Sequence, residues 1–270
     1  DGQQELQPVY GIGGETALDE HVLEHLPGYR GDGPVRIGNL AYHQKQNDVY
    51  GELILAISRL LLDVRFRGSE GIEGARLLVE GLVAQIDERL EEPDAGLWEL
   101  RGSRQLHTFT LLTHWAGAKR ANEIAISLGL PRLKERSADL VERAARLLWS
   151  RCWNEEIGSL TQYADSTNLD ASSLLALHLG FLRGDDPRAA RMVDAIRSQL
   201  TLPNGLLRRY DVADDFGVPD AAFTVCSFWL TEALAMVGRR DEACELFETI
   251  LGMHNGLGLF AEDILLQDGE

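Results

Sequence analysis

The amino-acid sequence predicts an all-α protein in which helical hairpins are arranged in a ring, or toroid. Three observations predict this fold. Apolar residues recur with a helical period along most of the 270 residues. Short connections between the predicted helices alternate with long ones. The long connections resemble one another and recur about every 50 residues, a period typical of repeats built from two helices.

The periodicity predicts eight helices, and several of them begin with residues that favour helix starts. Asp170 heads one apolar segment, and Asp186 precedes Pro187 at the head of another, as expected of a capping side chain and of proline in a first turn. Strand signals are weak, and residues 1–45 predict a long structured loop. The predicted helices cover residues 46–65, 71–91, 105–129, 132–151, 169–183, 186–200, 220–238 and 240–254.

Each of the four long connections contains a glycine, then an apolar residue, then a polar or charged one. These glycines, at 96, 158, 205 and 258, are 62, 47 and 53 residues apart. Antiparallel helices joined by alternating short and long connections place every long loop at the same end. In a toroid these loops converge around one funnel. The alternative is an open α-solenoid that binds proteins, which usually has short connections on both sides, so we favour the toroid.

Composition narrows the partners of the protein. The formal net charge of −17 argues against nucleic-acid binding, which requires a basic surface. The sequence has no apolar run of transmembrane length and no hydrophobic segment of a secretion signal at its start, so we expect no membrane partner and a cytoplasmic location.

Three cysteines are too few for a disulfide framework. His21 and His25 lack a third ligand at a suitable spacing, so we expect no metal site.

Two glutamates occupy equivalent places in the long loops. Glu99 follows Trp98, and Glu262 comes shortly after Phe260. Glycoside hydrolysis needs two carboxyl groups that flank the scissile bond, one protonated and one ionised. Because an aromatic wall that desolvates a carboxyl raises its pKa, Trp98 makes Glu99 the predicted general acid and Glu262 the predicted general base. Most of the 43 acidic residues are expected only to solvate the surface, so the pair alone is a hypothesis.

These residues resemble glycoside hydrolase family 15, the glucoamylase and trehalase family. The resemblance implies an (α/α)6 toroid and inverting hydrolysis of terminal α-glucosidic bonds, with release of β-glucose and without a cofactor. Seven stretches follow the family's order along the chain: PVYGIGGE (8–15), GYRGDGPVRIGN (28–39), QNDVYGELILAI (46–57), GLWELRG (96–102), LDASSLL (169–175), CSFWLTEALA (226–235) and GLFAED (258–263).

The resemblance also implies the roles of individual residues. It assigns the general acid to Glu99 and the general base to Glu262, in agreement with the loop pattern. It implies that five further residues bind the substrate, with Arg208 as an alternative to the arginine among them. These five are Tyr29, Arg30, Leu97, Trp98 and Arg209.

For the substrate, we expect an α-glucan or α-glucoside, with glucoamylase-like release of glucose from maltooligosaccharides first and trehalose hydrolysis second. A non-catalytic helical scaffold or sugar-binding relative is the alternative from another class. Eight helices are four of the family's six hairpins, so we expect an incomplete toroid. Within residues 1–270 as one domain, residues 1–45 would form the structured loop region, 46–254 the four hairpins and 255–270 the loop of the catalytic base.

Overall fold

The computed structural model describes residues 5–31, 33–66, 72–102, 104–214 and 217–265. Eight α-helices lie within these ranges, one for each predicted helix, and the all-α prediction is confirmed. They are α1 (Asp48–Leu62), α2 (Ile72–Arg89), α3 (Thr108–Leu128), α4 (Pro131–Leu147), α5 (Leu175–His178), α6 (Pro187–Leu200), α7 (Thr224–Met236) and α8 (Arg240–Leu251). Short 3₁₀ helices cover Leu40–His43, Val64–Phe66 and Ala171–Leu174, and a π-helical turn, Leu148–Cys152, continues α4.

The fifth helix differs most from its prediction. The predicted segment 169–183 contains a 3₁₀ turn, Ala171–Leu174, followed by α5, which has only four residues. The turn begins as predicted, because the Asp170 side chain accepts a hydrogen bond from the Ser172 amide. The helical segment ends early, after α5, because Gly180 adopts a left-handed φ of 76°. A glycine in this conformation commonly ends a helix.

Helices α3 and α4 differ in how much of their surface is buried. The first eleven residues of α3, Thr108–Ala118, are all buried, as expected of a helix covered on every side. In α4 the buried residues are Leu133, Ser137, Leu140 and Ala144, which make a single stripe. The α1 and α3 helices approach closely at Gly51, where an added Cβ would lie 2.2 Å from the Thr113 carbonyl oxygen.

Within the described ranges, three two-stranded antiparallel sheets join parts of the loops. The pairs are β1 (His21–Val22) with β2 (Arg36–Ile37), β3 (Trp153–Asn154) with β4 (Ser159–Leu160), and β5 (Ala221–Phe223) with β6 (Asp263–Leu265). In the third sheet Phe223 lies opposite Asp263. This pairing ties the segment after α8 to the start of α7.

The four long loops lie at one end of the helices, as the alternation of connections predicts. Backbone contacts link them in sequence order. His107 bridges to Tyr163, Asp170 bridges to Tyr210, and the Thr224 amide donates to the Glu262 carbonyl at 2.9 Å. The glycines at 96, 158, 205 and 258 all adopt left-handed φ angles of 70–82°, so the four loops turn in an equivalent way.

Candidate active site

The loop that carries Glu99 is anchored by a buried carboxylate. Asp94 accepts hydrogen bonds from the Asn47 amide at 2.8 Å, the Thr110 hydroxyl at 2.9 Å and the Gly96 amide at 3.2 Å. Burial raises its pKa to about 6, although these hydrogen bonds act in the opposite direction. Asn47 immediately precedes α1 and Thr110 lies in the first turn of α3, so the beginning of the loop is held by two helices.

Glu99 itself has a left-handed φ of 54°, which is uncommon for a residue with a side chain. Its amide donates to the Gly96 carbonyl at 3.2 Å, and its carbonyl accepts from Gln44 Nε2 at 2.8 Å. A strained backbone of this kind costs about 1 kcal/mol and persists where the surrounding contacts hold it. The side chain is exposed, so Trp98 does not cover Glu99 as we expected from the sequence.

Trp98 is half-buried at the centre of an aromatic cluster formed by different parts of the chain. Its ring packs edge-on against Phe223, with centroids 5.5 Å apart, and lies 6.2 Å from Tyr210 and 6.1 Å from Trp229. The indole Nε1 donates a hydrogen bond to Asp170 Oδ2 at 2.8 Å. We call these four aromatic residues, Trp98, Tyr210, Phe223 and Trp229, the Trp98 cluster.

Arg209 lies against the Trp98 cluster. Its guanidinium carbon is 5.3–5.6 Å from the ring centroids of Trp98, Tyr210 and Phe223, within the range of cation–π attraction. Arg208, the alternative from the sequence, instead donates to the Gln199 carbonyl at 3.3 Å. The structure therefore brings Arg209 together with Trp98, and Arg208 has other contacts.

The segment that carries Glu262 reaches the same cluster through β6. The Glu262 carbonyl accepts from the Thr224 amide at 2.9 Å, and the Ala261 carbonyl accepts from the Thr224 hydroxyl at 2.8 Å. Thr224 directly follows Phe223, which packs on Trp98. The Glu262 side chain is exposed. The segments of Glu99 and Glu262, which lie far apart in the sequence, thus adjoin one aromatic cluster.

The remaining predicted residues occupy two places. Leu97 is half-buried next to Trp98. Tyr29 and Arg30 lie in an exposed turn, where the Arg30 guanidinium carbon is 5.3 Å from the Tyr29 ring centroid. The contacts that the structure describes for these two residues do not include the Trp98 cluster, so it does not bring them together with the other predicted site residues.

A cavity of about 370 Å³ lies beside this arrangement, and its volume falls in the range of small-molecule sites. Side-chain amides and phenols make up much of its wall, and these groups both donate and accept hydrogen bonds, as sugar hydroxyls require. The Tyr210 hydroxyl donates to Asp214 Oδ2 at 2.7 Å. The lining residues are Leu100, Gly102, Gln105, Gln162, Tyr163, Asn168, Tyr210, Val212, Ala213 and Asp214.

Sequence reasoning missed the polar residues of this cavity, although one signal was present. Gln162 and Asn168 lie in one long loop, and Gln105 directly follows another. Since the loops were expected to converge, their polar residues were candidates for one shared site. It also missed Asp94 and the bond from Trp98 to Asp170, because nothing in the local sequence identifies the distant groups with which these carboxylates pair.

The described ranges contain no group of three or more His, Cys, Asp or Glu side chains placed to hold a metal ion. Within the same ranges no helix is both long enough and apolar enough to cross a membrane. The thiols of Cys152, Cys226 and Cys244 are all free.

Comparison with known proteins identifies the family of the chain. The profile of Glycosyl hydrolases family 15 matches residues 2–258. A trehalase of Mycolicibacterium smegmatis is 36% identical over 265 residues, which are 96% of this chain and 38% of that protein. A trehalase of Thermoplasma volcanium is 28% identical over 267 residues, which are 98% of this chain and 42% of that protein. The chain thus spans about two-fifths of the length of these relatives.

Two solved structures show the same fold. A wild-type glycosidase superposes with a TM-score of 0.69 at 19% identity, covering 88% of this chain and 63% of that one. A bacterial glucoamylase complexed with acarbose superposes with a TM-score of 0.59 at 16% identity, covering 82% of this chain and 36% of that one. The profile that matches residues 2–258 shows that the chain belongs to glycoside hydrolase family 15.

Proposed function

We propose that the protein hydrolyses trehalose, with Glu99 as general acid and Glu262 as general base. The assignment of these two catalytic residues is supported by one observation: both glutamate segments adjoin the Trp98 cluster. The substrate is supported by the relatives, because proteins named trehalase match nearly the whole chain at up to 36% identity. Trehalose therefore replaces maltooligosaccharides as our first choice of substrate.

In the proposed reaction Glu99 gives its proton to the glycosidic oxygen as the bond from that oxygen to the anomeric carbon breaks. Glu262, ionised, takes a proton from a water molecule that attacks the anomeric carbon from the opposite face. The products are one β-glucose and the second glucose, which leaves with its original configuration. This inverting geometry needs carboxyl groups roughly 6.5–9.5 Å apart, with room for the water between them.

The neighbouring residues would contact different glucose rings of the substrate. Trp98 and Leu97 would form the wall for the glucose that is attacked, and the charge-assisted hydrogen bonds of Arg209 would hold its hydroxyls. The cavity of about 370 Å³ would receive the leaving glucose, because its amides and phenols can pair with hydroxyls in either sense. Tyr29 and Arg30 remain proposed contacts of the substrate.

Proton NMR of the anomeric signals tests this proposal. The protein is incubated with trehalose in one tube and maltotetraose in another, and spectra are taken before the anomers of glucose equilibrate. We expect β-glucose to appear early from trehalose. Early release from maltotetraose alone would return the assignment to a glucoamylase type. An intact substrate in both tubes, with folded protein, would refute catalysis by this chain and favour a non-catalytic sugar-binding protein.

Substitution of the general acid gives the second test. Glu99→Gln keeps the shape of the side chain and removes the proton, so we expect kcat to fall by about 10²–10⁴. The control is Glu248→Gln, an exposed carboxylate in α8, which should leave kcat unchanged. Unchanged kcat in Glu99→Gln would show that another group protonates the leaving oxygen.

A further inference from the structure

A second buried carboxylate connects two of the proposed substrate-binding side chains. Asp170 is only 3% exposed, and each of its oxygens has its own donor. Oδ1 accepts from the Ser172 amide at 2.7 Å, and Oδ2 accepts from Trp98 Nε1 at 2.8 Å. Burial raises the pKa of this carboxyl, whereas Ser172, Trp98 and the Gln162 side chain act to lower it.

The backbone next to the same carboxylate aligns Arg209. The Ala171 amide donates to the Arg209 carbonyl at 2.9 Å, and Asp170 forms an antiparallel bridge with Tyr210. The side chain of Asp170 therefore holds Trp98, while its main chain holds the segment of Arg209. The Arg209 guanidinium carbon lies 5.6 Å from the centroid of the Trp98 ring.

Capping the 3₁₀ turn does not explain why this residue is an aspartate. A cap needs one oxygen, which Ser, Thr or Asn also supplies. A second oxygen buried without a donor would cost free energy, and here the donor is the indole N–H, which can only donate. An asparagine in place of this aspartate would turn its NH₂ group toward either the Trp98 N–H or the Ser172 N–H. Two hydrogen-bond donors would then face each other. Only a carboxylate accepts from both.

We propose that Asp170 is a positioning residue that fixes the Trp98 ring relative to Arg209. Its hydrogen bond to the indole and its backbone pairing with the Arg209 segment make the wall beside Glu99 a single unit. The catalytic consequence rests on the proposed function, because it requires that Trp98 and Arg209 contact the sugar. Without Asp170 the wall loses its orientation, and the sugar is held away from the geometry that proton transfer requires.

A double-mutant cycle tests this role through activity. It compares wild type, Asp170→Asn, Trp98→Phe and the double variant for hydrolysis of trehalose. If Asp170 acts through the indole N–H, each single substitution lowers kcat/KM about tenfold, and the double variant loses little more. Effects that multiply in the double variant would show that Asp170 stabilises the fold independently of Trp98 and would overturn the proposal. The control is Asp186→Asn, a cap of α6 whose carboxylate accepts from the Arg188 amide, which should leave kcat/KM unchanged.

A substrate-free measurement separates this inference from the proposed function. The indole N–H resonance of Trp98, assigned by its absence in Trp98→Phe, should shift in Asp170→Asn and remain in place in Asp186→Asn. A resonance that does not shift in Asp170→Asn overturns the positioning role. Wild-type protein that leaves trehalose intact refutes the proposed function, and the resonance then decides the positioning role by itself.

A variant that leaves Asp170 in place covers the case in which Asp170→Asn does not fold. Trp98→Phe keeps an aromatic ring and the cap bond to Ser172 but removes the indole donor. If stacking alone mattered, this variant would retain wild-type kcat/KM, and that result would overturn the proposal. A fall of about tenfold in a variant that circular dichroism shows to be folded supports it.

Discussion

The substitution Asp48→Asn should make the stability of this protein less sensitive to pH. Asp48 is the first residue of α1 and is 3% exposed. Burial is the largest cause that raises its pKa, and the negative charges of Asp94 and Glu52 add to it. The Val49 amide donates to Oδ1 at 3.0 Å and acts in the opposite direction. The result is a pKa raised from 3.8 to about 7.

The sign of the effect follows from proton linkage. The folded protein binds this proton more tightly than the unfolded chain, so ionisation of Asp48 destabilises the fold. The loss of stability begins near the unfolded pKa, at about pH 4, and is complete above the folded pKa, at about pH 7. Between pH 5 and pH 8 the free energy of unfolding should fall by about 2.5 kcal/mol because of this group. The asparagine side chain introduced by Asp48→Asn cannot ionise and escapes this loss.

Urea denaturation at pH 5 and pH 8, at constant ionic strength, measures the effect. The free energy of unfolding of Asp48→Asn, relative to wild type, should increase by about 2.5 kcal/mol from the lower to the higher pH. The control is Asp63→Asn at the other end of α1, where hydrogen bonds from Arg65 lower the pKa of the carboxyl. That carboxyl is ionised in both the folded and the unfolded state above about pH 5. The difference in free energy of unfolding between Asp63→Asn and wild type should therefore be the same at both pH values.

One result would refute the reasoning about Asp48. If the difference between Asp48→Asn and wild type is constant or decreases from pH 5 to pH 8, the folded protein does not hold the proton that burial implies. The adjacent Asp94, which remains in both proteins, has a pKa of about 6, so its own loss of stability is common to both.

Further predictions concern the glycines of helices and loops. Gly51→Ala should lower the free energy of unfolding by about 3 kcal/mol, because the added Cβ would lie 2.2 Å from the Thr113 carbonyl oxygen and force α1 and α3 apart. Gly81→Ala, at a helix position with nothing within 4 Å of the added Cβ, should raise the free energy of unfolding by about 0.5–1 kcal/mol. Urea denaturation of Gly51→Ala and Gly81→Ala measures both effects, and equal effects would contradict the packing argument. Gly96→Ala should lower both the melting temperature and kcat, because a φ of 70° strains alanine and its Cβ would lie 2.7 Å from the His107 ring. Normal kcat in Gly96→Ala would show that the loop of Glu99 tolerates displacement.

Much of the fold could be predicted because its signals are local. The 3.6-residue period located eight helices, and the cap at Asp186 was confirmed by its hydrogen bond to the Arg188 amide. The repeated glycines of the long loops share one left-handed conformation, as their equivalence in the sequence indicated. The shortened fifth helix was missed, because Gly180 ends it and an isolated glycine within an apolar segment does not reveal whether it ends a helix.

The candidate site could be predicted only in part. The family motifs indicated Glu99, Glu262, Trp98 and Arg209 by residue type and position in the sequence. Their environments could not be inferred in the same way. The expectation that Trp98 covers Glu99 was wrong, because adjacency in a chain does not place one side chain over the next.

The sequence by itself determined the helices, the common end of the long loops and the family to which the chain belongs. Each of these depends on spacing along the chain, through helical periodicity, alternating connections and motifs in order. Only the tertiary structure decided which polar groups pair. The indole of Trp98 and the carboxylate of Asp170 are 72 residues apart, and Asn47 and Asp94 are 47 apart. A buried polar group must find a partner, but its identity depends on which segments the packed core brings together.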